Sequence, residues 1–83
     1  MSKNELIQKI QNAYEMVIRI ADRRFTICDE NEKGFSIAEW DKPETEKYFI
    51  DAEALVEGFV IDGVNLLALI DRIVIDDYTG FIE

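Results

Sequence analysis

Arg24-Phe25-Thr26-Ile27-Cys28 and Phe35-Ser36-Ile37-Ala38-Glu39-Trp40 are two alternating runs separated only by Asp29-Glu30-Asn31-Glu32-Lys33-Gly34. Period-two alternation among β-branched and aromatic residues marks a half-buried strand, and a polar linker containing glycine between two such runs marks a hairpin. Side chains alternate across a strand, so Phe25 and Ile27 can share one face with Phe35 and Ile37. That face needs a second layer to cover it.

The sequence on either side supplies the layer. Leu6, Ile7, Ile10, Ala13 and Tyr14 recur at helical spacing, with Ser2 or Asn4 as a cap, which predicts a helix from about residue 3 to 14. Met16 to Ile20 fits both periods, since Val17 and Ala21 extend the helical stripe while Met-Val-Ile-Arg-Ile is rich in β-formers; a strand is the preferred assignment. Asp41 to Lys47, around the single proline, reads as a charged connector, and Tyr48-Phe49-Ile50 as a short strand or an anchor. Asp51 caps a short helix through Leu55 and Val56, closed by Gly58. Phe59-Val60-Ile61 leads into an Asp62-Gly63 turn, Asn65 caps a second short helix, and Arg72 to Ile75 forms a last strand stopped by Asp76-Asp77. The expected fold is one α+β domain over residues 1–83: an N-terminal helix, a mainly antiparallel sheet of three to four strands, and two short C-terminal helices.

Composition limits the function. The chain has 83 residues, is 48% hydrophobic and carries a formal charge of −9, which makes it too apolar for a disordered acidic tail. Residues 1–24 hold five basic and three acidic side chains, whereas the remainder holds four basic and fifteen acidic ones. Such a domain repels polyanions and attracts basic surfaces, so direct nucleic-acid binding is not expected. Cys28 is the lone cysteine and has no internal disulfide partner, which favours a cytoplasmic setting. The opening Met1-Ser2-Lys3-Asn4-Glu5 does not read as a signal peptide, and the apolar run from Val64 to Ile70 is too short to span a bilayer. Oligomeric state is left open.

The chemistry of catalysis is sparse. Histidine, the commonest general base, is absent, and Ser2 and Ser36 stand beside no evident base. Cys28 lacks a histidine to activate it and reads as a buried structural thiol. Asp29-x-Asn31-x-Lys33-Gly34 imitates the start of an EF-hand loop, but a cation occupies position 5 and Trp40 falls at position 12, where a glutamate is required. A solvated turn explains it better. Asp76 and Asp77 would point to opposite faces of a strand, while Asp51 and Glu53 suit a helix start. No catalytic residue, metal ligand or cofactor is expected, and the chain reads as a non-enzyme.

Arg19, Arg23 and Arg24 form the one basic cluster, which Asp22 or the acidic second half can neutralise. Trp40 has two readings, an exposed anchor for a partner or a cap on the core. The acidity also has two: plain solubility, or a decoy whose carboxylates stand where a nucleic acid would place phosphates. For the decoy, Glu30, Glu32, Glu39, Trp40, Asp41, Glu44 and Glu46 are the expected partner-binding residues. The alternative is a small assembly protein that self-associates through Phe59, Val60 and Phe81.

The order of the Asn4-Glu5-Leu6-Ile7 helix, the Phe25–Cys28 and Phe35–Trp40 hairpin, Tyr48-Phe49, Ala54-Leu55-Val56 and Ile61-Asp62-Gly63 resembles small acidic proteins of Gram-positive phages and mobile elements. In architecture and charge the chain is also similar to small anti-CRISPR inhibitors. The resemblance implies a basic partner surface on a nucleic-acid-binding protein such as a CRISPR nuclease, and carries over no individual residue.

Overall fold

The computed structural model describes residues 1–80. Helix α1 (Lys3–Gln11) starts with a reciprocal cap: Ser2 Oγ accepts from the Glu5 N–H at 3.2 Å, and Glu5 Oε1 accepts from the Ser2 N–H at 3.0 Å. Leu6 and Ile10, one turn apart, are fully buried. The helix ends three residues before the expected boundary, because strand β1 (Ala13–Ile20) already begins at Ala13. Ala13 lies three residues after Ile10, so it fits the helical stripe and also starts the strand. The assignment of residues 16–20 as strand holds, with Met16, Ile18 and Ile20 facing the core.

Strands β2 (Arg23–Asp29) and β3 (Phe35–Glu39) form the expected hairpin, with Ile27 opposite Ile37 and Phe25 opposite Glu39. Its loop contains a single 3-10 turn, Asn31–Lys33. Gly34 closes the loop at φ +92°, where an added Cβ would overlap the Phe49 carbonyl oxygen. The charged connector is a correction: residues 42–49 form an eight-residue strand, β4 (Lys42–Phe49), paired with β3. Solvent exposure along most of β4 hid it, since a strand at the sheet's edge need not alternate in hydrophobicity. Pro43 is tolerated there because an edge position does not require its missing N–H.

The last strand is a second correction. Strand β7 pairs antiparallel with β1 over Val74–Gly80, so Asp76-Asp77 lies inside it. Val17 opposes Asp77 and Ile18 opposes Ile75, which leaves Asp76 as the extra residue of a β-bulge. The sheet therefore has five antiparallel strands, ordered β4-β3-β2-β1-β7, where three to four were expected.

Between β4 and β7 the chain covers the inner face of the sheet. Asp51 caps α2 (Ala52–Gly58) by accepting from the Ala54 N–H at 2.7 Å. A two-strand ribbon follows, β5 (Val60–Ile61) and β6 (Val64–Asn65), turning through Asp62 and Gly63 at φ +52° and +86° as a type I′ hairpin demands. Asn65 Oδ1 accepts from the Ala68 N–H at 3.0 Å and starts a 3-10 helix, Leu67–Arg72. Leu6, Ile10, Leu55, Val56 and Leu66 meet Met16, Ile18, Phe25, Ile27 and Ile37 in one core. The opposite face of the sheet contributes nothing to that core.

Candidate interaction surface

The uneven charge along the chain resolves into ion pairs that join its two parts. Lys3 Nζ lies 2.7 Å from Glu57 and 3.3 Å from Glu53. Arg19 and Arg24 both reach Asp76, at 3.1 and 3.4 Å. Arg23 binds Glu39 through two hydrogen bonds and Asp62 through a third, while its guanidinium lies over the Phe25 ring. The expected neutralisation of Arg19, Arg23 and Arg24 by the acidic second half is thus seen residue by residue, with Glu39, Asp62 and Asp76 as the partners.

The carboxylates expected to bind a partner fall into three groups. Glu39 is held inside: its side chain is 12% exposed, Lys42 joins Arg23 around it at 3.6 Å, and the Arg23 hydrogen bonds hold its carboxyl below the usual range. Glu30 and Glu32 lie at the loop end of the β2–β3 hairpin, and Asp41 lies at the other end, in the β3–β4 turn. Glu44 and Glu46 run along β4 between those ends. Among the described residues, Glu30, Glu32, Asp41, Glu44 and Glu46 form no ion pair closer than 4 Å. The hairpin and β4 thus bring five carboxylates to one margin of the domain.

Trp40 is 56% exposed, so of its two readings the exposed one describes its position. It stands on the sheet face turned away from the helices, beside Ala38, Thr26, Val17 and Arg24. Tyr48 lies on the same face, opposite Ser36, and sequence reasoning missed it as a surface feature. Its hydroxyl donates to Glu46 Oε1 at 2.9 Å, and Ser36 Oγ donates to Glu30 Oε2 at 2.9 Å. The bond to Glu46 and that carboxylate's charge raise the Tyr48 pKa, with a further contribution from Glu30. Glu46 fell in the stretch read as a connector and Tyr48 in the short strand or anchor after it, so no alternation was sought across the two.

No protein-family model, curated protein or solved structure matches the chain. The chemistry of the surface must stand on its own residues.

Cys28 is half-buried rather than fully buried, on the outer face within 3.8 Å of Glu15 Oε2. Burial, then the charges of Glu15 and Glu30, push its thiol pKa up. Asp29 Oδ1 accepts from the Asn31 N–H at 2.7 Å, which makes the EF-hand-like stretch a locally bonded turn. Among the described residues, no group of three or more acidic or cysteine side chains is placed to hold a metal ion. No described helix is long and apolar enough to cross a membrane. Of the residues expected to serve self-association, Phe59 is buried edge-on against Phe25 at 5.8 Å, Val60 is exposed, and Phe81 lies outside the described residues.

Proposed function

We propose that the chain is a non-enzymatic interaction protein, carried by a phage or mobile element and acting in the cytoplasm, that binds a basic nucleic-acid-handling protein by charge mimicry. Inhibition of a CRISPR nuclease, or a similar anti-defence role, is the specific form of this function. One observation carries the proposal: the arginines of the first 24 residues are engaged with Glu39, Asp62 and Asp76, while the carboxylates of the hairpin loop and β4 are free of ion pairs. The three arginines of the first 24 residues are satisfied within the fold, and five carboxylates without ion pairs lie along the margin that also carries Lys33, Lys42 and Lys47. Glu46 lies beside Tyr48 on the outer face, whereas Glu44 lines a hollow with Arg23 and Phe59 where the β3–β4 register shifts. The net charge speeds encounter with a basic groove.

The test is capture of partners from Gram-positive lysates on the immobilised chain, with recovery measured in low salt, high salt and added DNA. A variant in which Glu30, Glu32, Asp41 and Glu44 are all changed to Lys is the control. The expected result is a DNA- or RNA-binding protein that salt, DNA and the fourfold variant each displace. Capture indifferent to all three, or recovery of only acidic proteins, would overturn the proposal.

A further inference from the structure

The outer face of the sheet is ordered in rows that cross the strands. Thr26 is opposite both Ala38 and Val17, and Val17 is opposite Asp77, so Ala38, Thr26, Val17 and Asp77 form one row from β3 to β7. Glu46 shares this face at the β4 edge, as its bond to Tyr48 shows. Three small or apolar side chains therefore lie between a carboxylate at each sheet edge. Four strand spacings of about 4.8 Å put those edges about 19 Å apart.

Larger groups stand on both sides of this row. Tyr48 rises on one side and Trp40 on the other, four residues along β3 from Ser36, a separation of about 13 Å. Trp40 divides two hollows: one of about 550 Å³ lined by Val17, Arg19, Arg24, Asp76 and Asp77, the other of about 320 Å³ lined by Thr26, Ala38, Asp41, Lys42 and Pro43 among others. Val17 is only 8% exposed yet is absent from the core on the other side of the sheet. An exposed tryptophan beside hollows, over a shielded apolar floor, is the anatomy of a binding hot spot.

Charge selects the occupant. Arg19, Arg24 and Lys42 around this face are outnumbered by Glu15, Glu30, Asp41, Glu46, Asp76 and Asp77; Asp76 already engages both arginines, and Lys42 lies 3.6 Å from Glu39. We infer that this trough is the docking surface for a basic segment of the partner protein, one with an apolar centre and a cation at each end about 19 Å apart. The centre lies on Ala38, Thr26 and Val17, the cations meet Glu46 and Asp77, and Trp40 packs against the segment. This rests on the function proposed above and moves the contact from the acidic margin onto the open face.

The test uses two synthetic peptides of equal charge and about 13 residues, the length of helix that spans 19 Å. One has lysines at both ends of an apolar centre; the other spaces the same number of lysines evenly among glycine and serine. Each is titrated into the isotope-labelled protein and followed by backbone amide shifts. The expected result is saturable shifts at Val17, Thr26, Ala38 and Trp40, at least tenfold tighter binding of the first peptide, and a tenfold loss in Ala38→Arg. Equal affinity for the two, with shifts confined to residues 30–32 and 44–46, would overturn the trough and leave charge mimicry standing. If neither peptide shifts any amide, the charge reading falls as well.

Discussion

Arg23 holds Glu39 through two near-parallel hydrogen bonds, Nε to Oε2 at 3.1 Å and Nη2 to Oε1 at 2.8 Å, and extends Nη1 to Asp62 at 2.9 Å. One side chain thus ties the end of β3 to the tip of the β5–β6 ribbon. Glu39→Gln is expected to cost about 1–2 kcal/mol in urea unfolding at pH 7, since solvent reaching Arg23 weakens the pair. Glu39 has a depressed folded pKa, so its contribution is complete above its ordinary 4.5 and is lost as pH falls through the folded value. The gap between wild type and Glu39→Gln should therefore narrow at pH 3. A gap unchanged with pH would show that the carboxylate's charge is not what matters.

Gly34 is the position least able to accept a side chain. Its φ is +92°, and a Cβ there would meet the carbonyl oxygens of Phe49 and Ile50, which belong to rigid backbone. Gly34→Ala should cost about 3 kcal/mol or more, combining left-handed strain with displacement of β4. Thermal unfolding followed by circular dichroism would read the loss. A melting temperature within two or three degrees of wild type would mean that the loop can move away from β4.

Trp40 is the only tryptophan in the chain, and its emission reports the open face directly. Acrylamide should quench it nearly as well as a free indole. Trp40→Ala should change unfolding free energy by no more than about 0.5 kcal/mol, as for other exposed positions outside the core. The same variant should lose the partner captured by wild type. Strong protection from quencher would instead place the indole within the fold.

Cys28 should react slowly for a thiol that is only half-buried. Burial raises its pKa first and the nearby carboxylates of Glu15 and Glu30 add to the shift, so the thiolate is scarce at neutral pH. Alkylation by iodoacetamide at pH 8 should run several-fold slower than for a small free thiol. Glu15→Gln should speed it. An unchanged rate in that variant would leave burial and Glu30 as the causes.

The parts of the fold legible in the sequence are those in which pattern and chemistry coincide. Phe25, Ile27 and Ile37 fixed the hairpin because one buried face imposes a strict period of two. Asp51, Asn65 and the Asp62-Gly63 turn were readable because caps and type I′ turns demand particular residues. β4 was not, because an edge strand open to solvent accepts Lys42, Pro43, Glu44 and Lys47 without penalty. Asp76 was read as a stop because a bulge has no hydrophobic signature; it is defined only by the partner strand. The candidate surface was legible as composition and not as geometry. Glu39 could not be told apart from Glu30 or Glu44 until Arg23 was seen to fold against it.

The pairing of β1 with β7 also fixes the order in which this protein can be assembled. β1 to β4 follow one another through short connections and can associate as soon as they emerge during synthesis. β1 nevertheless keeps an unpaired margin until residues 74–80 have been made, because its second neighbour lies some sixty residues downstream. A nascent chain thus carries an open edge capable of pairing with any other extended chain nearby. The strand that completes the sheet also brings Asp76 to Arg19 and Arg24, so neutralisation of those two arginines comes last. Until then the emerging protein is less acidic on its open face than the finished one, and it acquires its full electrostatic character only on closure.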